Sequence, residues 1–219
     1  MALGTDPDSV YEALKRFPYH DNYEQLAWFE LQALQTARKP KDPLPWKCAF
    51  LGSGPLPLSS LCLLEQLQHV GGPQNQDESD IYNIDMDGDA IAQSTALIKK
   101  LGYRANGMHF IHGCAGSDEI DLSPMDVINL AALVGETQAQ KEEIIMSVAR
   151  QMKTGAIMVV RSARGLRTCL YPEFDIQSDS CAEIREILQP ITEFHPLNHV
   201  VNSAIVLRKV DPAVGLEGY

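Results

Sequence analysis

The sequence predicts an α/β fold: a doubly wound, mainly parallel sheet with helices on both faces and an antiparallel hairpin at the C-terminal end. Three observations predict it. Short apolar runs alternate with longer runs of helical period through most of the chain, the pattern of strands joined by crossover helices. The turn "GSGP" (52–55) stands where one short run passes into a helix, a common ligand-holding junction in such sheets. The chain closes on two strand-like runs, 191–195 and 200–208, separated by "PLN", which signals a hairpin.

The elements follow in order. "NYEQLAWFELQALQTA" (22–37) sets Tyr23, Leu26, Ala27, Glu30, Leu31 and Leu34 on one helical stripe. "KPKDPLP" (39–45) cannot continue that helix. Strand 47–51 and helix 57–70 come next, then a polar loop, "GGPQNQDESD" (71–80), the expected place for mobility. Strand 81–85 leads to helix 89–101, which Gly102 closes as a C-cap. Strand 108–112, strand 126–133, helix 137–152 and strand 156–161 repeat the rhythm. A tyrosine-bearing loop (163–180), a short helix (181–188) and the hairpin complete the chain. This element order is that of the class I SAM-dependent methyltransferase-like (Rossmann-like) fold.

Composition sets limits on partners. A chain of 219 residues with 45% hydrophobic and 21% charged residues has the makeup of a soluble globular protein. The net charge of −11 opposes binding to nucleic acid or an acidic membrane surface. No apolar run reaches the roughly 20 residues of a membrane span, and the start shows no signal-peptide pattern. Five cysteines without CxxC spacing suggest reduced thiols and a cytoplasmic location. Metal-ligand spacing is missing too. His109 and His112, three apart in a strand, face opposite sides, and Pro196 disfavours a helix that would align His195 with His199. The expected partner is therefore a small molecule, with no resident metal; a homodimer is left open.

Ligands of such sheets lie beyond the carboxyl ends of the strands, and three segments fall there. Gly52, Ser53, Gly54 and Pro55 form a turn whose glycines allow close backbone approach at a helix amino terminus. GxGxxG is absent, since Leu56 and Pro57 follow the glycines; this favours a nucleoside without phosphates over a dinucleotide. At the end of the next strand, "YNIDMD" (82–87), Asp85 is placed to accept hydrogen bonds from ribose hydroxyls, with Met86 against adenine. Asp87 is either the acid instead or the cap of helix 89–101, and a capping role for both aspartates is the plainer alternative. The third segment, "NLAALVG" (129–135), offers Asn129 as a polar contact and Leu133 as wall, or is simply strand core.

Several blocks together resemble the nicotianamine synthase family, especially its fungal forms: "FPYHDNYEQL" (17–26), "AFLGSGPLPLSS" (49–60), "NLAALVG", "GAIMVVRSARGLRTCLYP" (155–172) and "FHPLNHVVNSAIVLR" (194–208). They run in order along nearly the whole chain. The expected organisation is a short helical extension over 1–45, a SAM-binding Rossmann-like domain over 46–210 and a tail over 211–219. The resemblance implies SAM as substrate: the 3-amino-3-carboxypropyl arm passes to an amine and 5′-methylthioadenosine leaves. Positioning the nucleophile in line with Cγ rather than the methyl carbon selects that reaction, and a turn stiffened by Pro55 and Pro57 suits a fixed sulfonium pose. The candidate catalytic side chains are Tyr19, Tyr23 and Tyr171. An aromatic face gains roughly 0.5–2 kcal/mol against a cation, although Tyr23 also fits the core stripe. Arg161, Ser162 and Asn202 are the candidate substrate contacts, with a structural ion pair the alternative for Arg161.

Two departures from the family pattern stand out. The family's helical region ahead of the FPY block, with a glutamate that handles the attacking amine, has no counterpart before Phe17, where Glu12 is the nearest acid. The acid expected near the end of the third strand is replaced, with Ala115 after Cys114, and Asp118 the nearest substitute. Alongside acceptor-dependent transfer, the sequence leaves open cyclisation of SAM to azetidine-2-carboxylate, which needs no acceptor pocket. A SAM-binding remnant without turnover is the third reading. Methyl transfer ranks below these.

Overall fold

In the computed structural model, residues 6–37, 46–71, 79–163, 173–195 and 203–211 are described. Two helices precede the sheet. Helix α1, Pro7–Lys15, starts on Asp6, whose carboxylate accepts from the Ser9 amide at 3.1 Å, with Pro7 in the first turn; proline there sacrifices no helical hydrogen bond. Helix α2 spans His20–Ala37. Strand β1 (Lys47–Leu51), helix α3 (Leu58–Gly71), strand β2 (Asp80–Asp85), helix α4 (Gly88–Leu101) and strand β3 (Met108–His112) form the first half. Strand β4 (Val127–Leu130), helix α5 (Gln138–Gln151), strand β5 (Ile157–Ser162), helix α6 (Ala182–Ile187), strand β6 (Leu188–Phe194) and strand β7 (Ser203–Lys209) form the second.

The seven strands lie in the order β3-β2-β1-β4-β5-β7-β6. The first five are parallel, and β7 runs antiparallel to both β5 and β6. Strand order reverses between β1 and β4, which places the ligand crevice above those two strands. Period-two alternation supplies both faces of the sheet. Phe50, Val159 and Val206 pack with Leu31 and Leu34 of α2 and Leu64 of α3. Leu51, Leu130, Val160 and Ile205 pack on the other face with Ile145 and Val148 of α5 and Ile184 of α6. Asp87 caps α4 through the Asp89 and Ala90 amides, and Gly102 ends it at φ 54° with its N–H on the Ile98 carbonyl. None of the described helices is long and apolar enough to cross a membrane.

Helix α2 crosses its face antiparallel to the parallel strands. Glu30 meets Arg161 near the carboxyl end of β5, whereas the Ala37 carbonyl accepts from Arg208, which pairs with Ile157 at the start of β5. The first turns of α2, with Tyr19 just ahead of them and Tyr23 within, therefore stand at the carboxyl edge of the sheet.

Several boundaries differ from the sequence reading. Strand β4 stops at Leu130 rather than residue 133. The Ala131 amide still reaches the Leu51 carbonyl at 3.0 Å, but the Val134 amide folds back on Ala131 at 3.1 Å and Gly135 sits at φ 81°. An apolar run reads alike as strand or as the wall of a crevice. Helix α6 ends at Ile187 and β6 starts at once, carrying Pro190 beside a register shift; β6 is an edge strand, where a missing N–H is tolerated. Helix α1 is a separate element within the expected extension. The hairpin's tip, the proline-rich joint and nearly all of the polar loop 71–80 lie outside the described residues.

Candidate functional site

Above β1, β2 and β4 lies a cavity of about 590 Å³, within the range of small-molecule sites. The glycine turn forms its floor. Gly52 sits at φ 80° and donates to the Ile84 carbonyl at 2.8 Å; a Cβ there would come within 2.4 Å of the Val134 Cγ2. Gly54, at φ 67°, donates its amide to Asp85 Oδ2 at 2.7 Å, and Asp85 Oδ1 accepts from the Asp87 amide at 3.0 Å. One carboxylate thus ties the turn after β1 to the turn after β2. Each of its oxygens has accepted one hydrogen bond, so acceptor capacity remains toward the cavity. Ser53 Oγ is buried with no hydrogen-bond partner among the described residues, and Pro55 is exposed beyond the turn.

Two large apolar side chains stand open at the mouth: Met86 at 73% exposure and Leu133 at 71%. Exposed apolar groups facing one cavity from two strand ends suit a flat ring slotted between them. The Met86 carbonyl is within 3.0 Å of His112 Nε2, which fixes the turn behind it. The remaining wall comes from Gly113–Ala115 after β3, from Val134–Glu136 and from Gln140, Glu143 and Ile144 of α5. Among the described lining residues three carboxylates occur (Asp85, Glu136 and Glu143), with no lysine, arginine or histidine. Such a wall repels phosphates and attracts cations.

The other expected contacts lie elsewhere. Arg161 is 4% exposed and bound bidentately to Glu30, at 2.6 and 3.0 Å, with Ser59 Oγ at 2.8 Å and the Phe50 ring 4.9 Å from the guanidinium. Glu30, which sits on the apolar stripe of α2, is 0% exposed because this arginine meets it. Asn129 is equally buried between Phe50 and Val159, and neither polar atom of its side chain has a partner among the described residues. Ser162 faces the opposite side of the sheet and accepts from the Phe174 amide at 2.7 Å, joining β5 to the later segment. Tyr23 is half-buried against the α2–α3 core, whereas Tyr19 is 63% exposed and edge-on to Phe17. Neither lines the cavity. Tyr171 and Asn202 lie outside the described residues. Asp87 takes the capping role.

Ligand-type atoms of His20, Asp21 and Glu24 come within 4.8 Å of one another at the start of α2, with buried His20 placing Nδ1 3.7 Å from half-buried Glu24; this is an ordinary i, i+4 pairing along a helix. Sequence reasoning missed Glu136, Gln140 and Glu143, which carry no motif. It also missed Lys141, which had a signal: it occupies the apolar stripe of Ile145, Val148 and Ala149.

The family described as nicotianamine synthase protein matches residues 3–214 of the chain. Nicotianamine synthase 9 of Hordeum vulgare is 36% identical over 203 residues, 92% of this chain and 55% of the relative. Nicotianamine synthase 3 of Oryza sativa subsp. japonica is 37% identical over 213 residues, 96% of this chain and 58% of the relative. The chain thus spans a little over half the length of these curated relatives. Among solved structures, a mutant of MtNAS in complex with S-adenosylmethionine matches with a TM-score of 0.71 at 24% identity, covering 95% of this chain and 69% of that one. Magnesium protoporphyrin IX methyltransferase from Synechocystis PCC 6803 matches at 0.61 with 8% identity, over 87% and 79% of the two chains. Both show likeness of fold.

Proposed function

The chain belongs to the nicotianamine synthase family, and from that premise we propose that its cavity binds S-adenosylmethionine and that the protein passes the 3-amino-3-carboxypropyl arm to an amine. One observation carries the reading: a nucleoside-sized cavity walled by three carboxylates, with no basic side chain among its described lining residues. A nucleotide's phosphates find no partner there, whereas a sulfonium or an ammonium does. Asp85 accepts from the ribose hydroxyls with the capacity its two backbone bonds leave free. Met86 and Leu133 flank the purine, and Ser53 Oγ supplies a further polar contact at the glycine turn.

The chemistry is a displacement at carbon. The amine's lone pair attacks Cγ in line with the C–S bond, that bond breaks, and its electron pair stays on sulfur. Sulfonium becomes neutral thioether, methylthioadenosine leaves, and the new ammonium loses a proton to solvent. No general acid is required, because the leaving group departs without a proton; the acceptor amine attacks in its neutral form, its own proton having passed to solvent before the C–N bond forms. The protein's contribution is pose: the bridged glycine turn fixes the nucleoside, and alignment of the nucleophile with Cγ decides which of three activated carbons reacts. Tyr19, just ahead of α2, and Tyr23, within it, stand at the carboxyl edge and supply the proposed acceptor side.

Mass spectrometry of the protein incubated with SAM, with and without amine acceptors, tests this. Methylthioadenosine with an aminocarboxypropylated amine, and no S-adenosylhomocysteine, is the expected result. Azetidine-2-carboxylate from SAM alone would instead identify intramolecular attack. S-adenosylhomocysteine would overturn the proposal in favour of methyl transfer.

A further inference from the structure

Helix α5 carries a lysine where its core-facing stripe calls for an apolar residue. Lys141 is 0% exposed and shares that stripe with Ile145, Val148 and Ala149. Lysine is almost never fully buried without an acid beside it, yet no carboxylate lies within ion-pair distance of its Nζ among the described residues. The ammonium donates instead to three backbone carbonyls: Ala132 at 2.8 Å, Ala131 at 3.4 Å and Arg161 at 3.5 Å. The first two belong to the turn that leaves β4 and becomes the cavity wall; the third is near the end of β5. Gly135, in the same wall, presses on the root of this lysine, since a Cβ there would lie 2.8 Å from the Lys141 nitrogen and 2.9 Å from its Cα. The wall is therefore wrapped around Lys141 at both ends of the side chain.

Among the described residues, the nearby charged groups look elsewhere. Glu143 of α5 and Glu136 of the wall point to the cavity. Glu142 of α5 is engaged with Gln138, Ser180 and Cys181. The Arg161 guanidinium lies on the opposite face of the sheet with Glu30. Among the described residues only the carbonyls offset the desolvation of Lys141, and burial pushes its pKa down to about 8.

We propose that Lys141 is a positioning residue for the nucleoside cavity: its ammonium gathers the carbonyls at the ends of β4 and β5 and so holds the 131–136 wall against Gly52. The inference rests on the reading of that cavity as a SAM site. Three N–H donors match three carbonyls. The neutral amine has two, so deprotonation releases one carbonyl and loosens the wall without emptying the space.

The test uses 5′-methylthioadenosine as probe, because it has no group that titrates between pH 7 and 9.5. Cys114 also lines the cavity, so the measurements are made in a Cys114→Ser background. Affinity should fall about 2- to 10-fold from pH 7 to 9.5, the worth of one hydrogen bond. Lys141→Met should bind more weakly at pH 7 by a similar factor, show no change with pH, and exchange the amides of residues 131–136 faster. Equal affinity of Lys141→Met with a flat background profile would overturn the proposal. Should Lys141→Met fail to fold, the pH titration decides alone, and a flat profile again overturns it. Failure of both SAM and methylthioadenosine to bind the native protein at pH 7 would instead sink the reading of the cavity, and this inference with it.

Discussion

Replacing Glu30 by glutamine is the sharpest test of what holds α2 to the sheet. Glu30 and Arg161 are 0% and 4% exposed and joined by two hydrogen bonds. Glutamine has nearly the same shape, but it presents one oxygen and one NH₂ to a guanidinium that only donates. One of the two bonds is lost, an N–H faces an N–H, and a full positive charge is left buried. Breaking such a pair costs about 3–5 kcal/mol. With a urea slope of about 3 kcal/mol/M, the unfolding midpoint should fall by more than about 1 M. The companion Glu30→Leu with Arg161→Met removes both charges and leaves mainly Ser59 without its partner, about 1 kcal/mol. Urea melts of native protein, the two single variants (Glu30→Gln, Arg161→Met) and the Glu30→Leu/Arg161→Met double variant should therefore show the double variant more stable than either single one. A midpoint for Glu30→Gln within about 0.3 M of native would refute the reasoning, because an uncompensated buried charge cannot be that cheap.

Four further outcomes follow from the site. Asp85→Ala removes the bridge between the two turns and the ribose acceptor together, so SAM affinity should drop about 10-fold or more in calorimetry; unchanged affinity would refute the ribose role. Gly52→Ala places a methyl 2.4 Å from Val134 Cγ2 at φ 80°, and should lower stability by about 1–3 kcal/mol in thermal unfolding. Glu136→Gln combined with Glu143→Gln should narrow the preference for cationic SAM over neutral methylthioadenosine about threefold, since both carboxylates are exposed and screened; competition binding reads the ratio directly. Lys141 titrates near 8 folded and near 10.5 unfolded, so between those values the unfolded chain binds more protons. Stability should then rise with pH across that window, by about 3 kcal/mol at most, and Lys141→Met should abolish the rise.

The parts of the fold legible in the sequence were those that local chemistry dictates. Gly102 closes α4 because a left-handed cap needs glycine, and the alternation of Phe50 and Leu51 assigns both faces of β1. The crevice itself was legible through its turn residues, Gly52, Gly54 and Asp85, since backbone approach and a strand-end acid leave a local signature. Arg161 was legible only as a choice between ligand and ion pair. Its partner Glu30 lies 131 positions away, and no local pattern links them. Strand β4 ends three residues before its apolar run does: Ala131–Leu133 is as apolar as a strand, but the Val134 amide folds back on the Ala131 carbonyl and Gly135 sits at φ 81°. Glu136 in the turn before α5 and Glu143 on its exposed face carry no local signal either: an exposed carboxylate looks solvated until the fold puts a cavity beside it.

The two pH responses expected of Lys141 run in opposite directions. Losing the proton relieves a buried charge, so the folded state gains stability above pH 8. The same loss withdraws one donor from three carbonyls, so the cavity wall should hold its ligand less well. A residue kept only for packing would move both quantities together, and methionine would serve better, since it fills similar volume without desolvating a charge. Stability and affinity parting company with pH is what a site residue retained at the expense of the fold should show. If instead both rise together above pH 8, the lysine is a burden on the wall rather than its support, and the carbonyls at the ends of β4 and β5 are positioned by the sheet alone.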